Sequence, residues 1–178
     1  PAAAPSRPRA LAYVRKMAWL PPATVVKEMP VRCAAAGVAV VFTREIPSAA
    51  VSGATRWLTK DKALIQLSLK FKSDDQIWFT FKHEAGHILL HSKKQQFVEF
   101  GLSAATDEER EANEFARDIL IPPAFAHRLP YLKTREQICE FAKSINIAPG
   151  IVVGRLQHDE LIFAGAFKEL KRKLAWTS

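Results

Sequence analysis

The run His83-Glu84-Ala85-Gly86-His87 constrains this chain more than any other, because an H-E-x-x-H pattern carries chemistry only when it lies on a helix. The surrounding residues predict that helix. From Gln76 to His91, Ile77, Trp78, Phe81, Ala85, Ile88 and Leu89 recur at helical spacings, and Ser73, Asp74 and Asp75 offer a polar cap and first-turn negative charge. At about 100° per residue the two histidines stand roughly 40° apart around the axis and one turn apart along it, so both imidazoles can reach one divalent ion. Glu84 falls to the side, where its carboxylate is free to take a proton from a water held by that ion, as metal-activated hydrolysis requires.

A catalytic zinc takes three protein ligands and keeps one position open, so a third ligand has to come from elsewhere. An H-E-x-x-H-x-x-G-x-x-H frame is excluded, since Leu90 and Lys93 stand where it needs Gly and His. A glutamate further along the chain remains. After Thr106, Asp107 and Glu108, the segment Glu109 to Ile121 places Ala112, Phe115, Ala116, Ile119 and Leu120 on one stripe and stops at Pro122 and Pro123. This second helix carries Glu108, Glu109, Glu111 and Glu114, and packed antiparallel beside the first it aims one of them at the metal. His91, one turn past His87, either lines the cleft or interacts with the last helix carbonyls. Tyr13, His127 and Tyr131 are the candidates for polarising a substrate carbonyl by chemistry alone.

Val38–Phe42, Gly53–Leu58 and Leu64–Phe71 read as strands of a small sheet, with a polar loop from Ser92 to Ala105 and helical segments at Ala10–Leu20 and after Pro21 and Pro22. The tail from Thr134 has a short helix-turn-helix pattern: Ile138, Phe141 and Ala142, a turn at 146–150, then Ile151, Val152, Val153 and Leu156. Lys143 and Arg155 are its only obvious basic side chains, which suits docking better than DNA reading. Pro1–Arg9 reads as a linker, 10–130 as the main domain and 131–178 as a helical extension on it.

With 178 residues, 48% apolar and 25% charged, the composition is that of a globular chain and excludes disorder as its main state. No apolar run approaches the roughly 18 residues of a membrane span and no secretory signal is visible, so no membrane partner and a cytoplasmic location are expected. Cys33 and Cys139 lie far apart and read as reduced thiols. Lys and Arg number 26 against 18 Asp and Glu, a formal charge of +8 that favours nucleic acid or an acidic partner. The excess is spread over Arg7, Arg9, Arg15 and Lys16, the region of Lys70 and Lys72, and Lys168, Lys171, Arg172 and Lys173, as on a solvated surface.

His83 to His91 (HEAGHILLH), Glu111 to Ala116 (EANEFA) and Ile119 to Pro122 (ILIP), in that order and spacing, resemble the ImmA/IrrE family of zinc metallopeptidases. The resemblance implies an α+β, zincin-like fold: a small sheet, the H-E-x-x-H helix, a neighbouring glutamate helix and a helical tail. It implies Zn2+ held by His83, His87 and Glu111, with Glu84 as general base. Glu114 is the alternative third ligand, because Asp118 four residues on makes an E-x-x-x-D frame. Members of the family often accompany helix-turn-helix regulators and some cleave a repressor or antitoxin. The implied partners are therefore a DNA-binding regulatory protein as substrate, in transcriptional, toxin-antitoxin or stress control, and DNA through an N-terminal helix-turn-helix domain beyond Pro1. The rival readings are a catalytically idle sensor, with or without metal, and a partner-binding domain.

Overall fold

The computed structural model describes residues 14–44, 51–68, 73–91, 97–100 and 106–173. A 3-10 segment, Val14–Trp19, precedes α1 (Pro22–Ala34), and β1 (Val38–Thr43), β2 (Val51–Trp57) and β3 (Ala63–Ser68) follow. The H-E-x-x-H helix is α2 (Asp74–Leu90); after β4 (Phe97–Phe100) come α3 (Asp107–Leu120), a single turn α4 (Pro123–Ala126), α5 (Arg135–Ser144) and α6 (Pro149–His158). The fold is α+β, as the resemblance implied. Pro1–Arg9, Tyr13, Lys70, Lys72 and the end of the expected third strand lie outside the described residues.

The four strands form one sheet in the order β1-β3-β2-β4, with β1 parallel to β3 and the other pairs antiparallel. β3 alternates as its sequence requires: Ala63, Ile65 and Leu67 are buried, whereas Leu64, Gln66 and Ser68 are half-buried. Gly37, at φ 73°, turns the chain from α1 into β1, a left-handed conformation that favours glycine. Two sequence expectations are corrected. Part of the Ala10–Leu20 helix is a 3-10 segment, and the polar loop at 92–105 contains β4, which pairs with the edge of β2. Four residues are too few for alternation to reveal a strand; pairing to a neighbour decides it.

α2 is buried on nearly every side, because it packs on β2 and β3, on α3 and on α6 at once. Its N-terminus is held by the far end of the chain. Asp74 and Asp75 are in the first turn, yet Ser73 makes no side-chain cap. Instead the buried Asp74 carboxylate accepts from Arg172 Nε at 2.7 Å and from the Arg172 backbone N–H at 3.1 Å, and Lys171 Nζ lies 2.7 Å from Asp75 Oδ2. The Arg172 guanidinium also donates to the carbonyls of Ala18, Trp19 and Leu20. Lys171 and Arg172 thus belong to a tertiary clamp and not to the solvated surface expected of them. Gly150 and Gly154 let α6 approach this clamp: a Cβ at either would stand 2.6 Å from an oxygen of Asp74 or Asp75. The Cys33 thiol is buried and its pKa is pushed up to about 12 by that burial, which leaves it protonated and inert.

Candidate metal centre

On α2, His83 and His87 are fully buried and their Nε2 atoms face each other at 3.0 Å. The Glu109 carboxylate of α3 meets both, with Oε2 at 3.2 Å from His83 Nε2 and Oε1 at 3.4 Å from His87 Nε2. Among the described residues, these three form the one group whose ligand atoms converge closely enough to hold a metal ion. Ligand atoms bonded at about 2.0–2.1 Å and tetrahedral angles stand about 3.3–3.4 Å apart, close to the three separations seen here. Three lone-pair-bearing atoms around one point fit a cation.

Burial sets the protonation. It lowers the His83 pKa to about 4 and that of His87 to about 3, so both imidazoles are neutral at pH 7, the state a metal ligand needs. Burial likewise raises the Glu109 carboxyl above its ordinary value. The far nitrogens are also engaged. His83 Nδ1 lies 3.0 Å from Asn113 Oδ1, which can only accept, so the Nδ1–H donates and Nε2 keeps its lone pair. His87 Nδ1 lies 2.9 Å from His91 Nδ1, and His91 Nε2 lies 3.2 Å from Glu111 Oε2. With His87 donating to His91 and His91 donating to Glu111, every Nε2 and Nδ1 has a consistent role, and a carboxylate backs His87 through an imidazole.

The third member of the group is Glu109, one of the four glutamates that the sequence left open, and not the Glu111 that the family resemblance implies. Glu111 is not brought to the histidines; its half-exposed side chain pairs with His91, and Glu114 is half-exposed near Arg117 at 4.0 Å. The reason is helix phase. The buried stripe of α3 is Ala112, Ala116 and Leu120, and Glu109, three residues before Ala112, projects within about 60° of it. Glu111 sits about 100° off on the other side. Asn113, four residues after Glu109, shares its face and so reaches His83. The stripe itself held the signal that favours Glu109.

Glu84 is fully buried on the flank of α2 that meets β2. Gly53 of β2 makes room for it: a Cβ there would lie 2.5 Å from Glu84 Oε1 and 2.6 Å from Thr80 Cγ2. Gly86 does the same for α3, since a Cβ would come within 3.2 Å of the Ala112 Cα. Small residues on both flanks thus set the distance of α2 from its neighbours. Of the expected carbonyl-polarising residues, His127 and Tyr131 are exposed and Tyr13 lies outside the described residues.

Residues 33–156 match the family model of the IrrE N-terminal-like domain, Peptidase_M78, a span that runs from the end of α1 into α6 and includes both helices of the centre. No curated protein matches the chain.

Proposed function

This chain belongs to the M78 peptidase family, and we propose that it is a zinc peptidase whose substrate is a regulatory protein. The observation that carries the reading is the convergence of His83, His87 and Glu109 on one point, with Glu84 next to His83 in the chain and its carboxylate buried. His83, His87 and Glu109 would hold a zinc ion, which would supply the Lewis acidity that acidifies a water and polarises a peptide carbonyl. Neutral His83 and His87 offer Nε2 lone pairs, Asn113 and the His91–Glu111 pair hold the rings in orientation, and Glu109 provides the negative charge. Glu84 accepts the proton of the attacking water and delivers it to the departing amine. Its burial against β2 fixes the side chain for that shuttle.

The substrate assignment rests on the family resemblance, in which repressors or antitoxins are cut, and on the +8 charge, which favours an acidic protein or a nucleic-acid-bound one. A helix-turn-helix partner domain, a toxin-antitoxin or stress-response role and a cytoplasmic location are part of the same proposal. No helix among the described residues is long and apolar enough to cross a membrane.

The test pairs metal analysis with turnover. The purified chain is expected to hold about one zinc, and Glu84→Gln to keep that zinc and the fold while losing cleavage of a peptide library, because an amide cannot accept the proton. Equal cleavage by the variant overturns the mechanism. Bound zinc with no cleavage by the unaltered chain turns the reading to an idle metal-binding sensor.

A further inference from the structure

Two rows of side chains run from the metal centre to a cavity that the chemistry above does not use. On α3, Glu109, Asn113 and Arg117 are spaced four residues apart and so line one face over about 12 Å. On α2, His87, His83 and Phe79 run beside them in the opposite sense, and the Phe79 ring stacks on the His83 imidazole at 6.3 Å between centroids. Phe79 and Arg117 are also walls of a cavity of about 180 Å³, which Leu120, Ile121 and α6 residues Ile151 and Arg155 close off. One side chain thus separates the metal centre from this cavity and touches both.

The cavity has an apolar body and a cationic end. Arg117 Nε is buried and has no hydrogen-bond partner among the described residues, and the nearest carboxylate to the guanidinium, that of Glu114, is 4.0 Å away. Arg155 is held at Nε by Asp159 at 2.6 Å, which leaves the outer nitrogens of its fork for another acceptor. The one lining carboxylate, Asp75, is ion-paired through Oδ2 with Lys171 at 2.7 Å, and its buried Oδ1 has no hydrogen-bond partner among the described residues. A buried guanidinium N–H without a partner is costly, and a carboxylate satisfies it in the fork geometry that arginine favours.

We propose that this cavity is a specificity subsite for an acidic side chain of the polypeptide substrate. It rests on the peptidase reading, and deepens it by naming what the substrate carries. The separation of about 12 Å along α3 corresponds to three or four residues of extended peptide, so the recognised Asp or Glu stands that far from the bond that is cut.

The binding test uses Glu84→Gln, which needs no turnover, and follows backbone amides by NMR during titration with N-acetyl-leucyl-glutamate amide. Saturable shifts are expected at Phe79, Leu120 and Gly154, with affinity weaker by about tenfold or more for the leucyl-glutamine analogue. Arg117→Gln with Arg155→Gln, in a chain whose remaining amide spectrum is unchanged, is expected to erase that preference. Three results overturn the proposal: no saturable shifts, equal affinity for the two dipeptides, or a preference that survives the double substitution. Tighter binding of free 4-methylpentanoate than of the dipeptide also overturns it, in favour of a small-molecule acid. The unaltered chain is then expected to cut library peptides that carry Asp or Glu three or four residues from the cleaved bond. Absence of all cleavage counts against the peptidase reading alone, since the titration does not depend on it.

Discussion

Glu109 and Glu111 are two residues apart on one helix, and their replacement by glutamine separates a member of the converging group from a residue that acts through another. Removing the Glu109 carboxylate takes away one of the three converging side chains that could hold a metal ion. Structural zinc sites with four ligands bind with about 10–16 kcal/mol, or about 3–4 kcal/mol for each ligand, so Glu109→Gln is expected to weaken zinc binding by about 10²- to 10³-fold. Glu111 is half-exposed and pairs with the imidazole that backs His87, at 3.2 Å. Loss of such outer support costs about 10- to 100-fold, and the exposure of this pair puts Glu111→Gln near the lower figure. Competition with a chromophoric chelator at pH 7 reads both affinities, and a thermal melt at fixed zinc checks them, because ligand stabilisation follows the ratio of free zinc to Kd. A greater loss in Glu111→Gln than in Glu109→Gln would refute the assignment and return the third ligand to the position that the family resemblance implied.

Arg172→Met leaves the buried Asp74 carboxylate without its guanidinium and three carbonyls without their donor; a loss of about 3 kcal/mol and a Tm lower by about 6–12 °C are expected, with part recovered on adding Asp74→Asn. Gly53→Ala drives a methyl group into Glu84 and Thr80, so stability should fall by about 1–3 kcal/mol and peptide cleavage by a larger factor than that destabilisation accounts for, as steady-state assays on folded protein would show. In chelator-treated protein, the unfolded chain binds protons at His83 and His87 near pH 6.5, whereas the folded chain does so only near 4 and 3. Stability therefore rises with pH across that window: it is complete above about pH 6.5 and is lost as the pH falls through the folded values. The two groups together give a slope of about 2–3 kcal/mol per pH unit between pH 6 and 5, measurable as urea midpoints; a flat profile there would show that the histidines are not buried neutral.

What the sequence by itself determined is local. Two histidines four residues apart on an apolar-faced segment share a helix face whatever surrounds them, and Glu84 is offset for the same reason, since 3.6 residues per turn is a property of the backbone. The Ala112, Ala116 and Leu120 stripe, the Thr106 cap and the tail pattern from Ile138 to Leu156 are legible on the same ground: the stripe lies in α3, Thr106 caps it, and the tail forms α5 and α6. The third member of the converging group is not local. Among four glutamates within seven residues, the one that reaches the histidines depends on how α3 is rotated against α2, and that rotation follows from Gly86 meeting Ala112 across the seam. A two-residue error there turns a side chain by about 200°, enough to exchange a ligand for a half-exposed partner of His91. Strand β4 and the clamp of Arg172 on Asp74 were hidden for a related reason. A four-residue strand exists because the edge of β2 accepts its hydrogen bonds, and an arginine 98 residues from an aspartate reads as surface charge until folding brings the pair together. Contacts within one helical turn are set by covalent geometry, whereas contacts between elements are chosen by packing that no single segment contains.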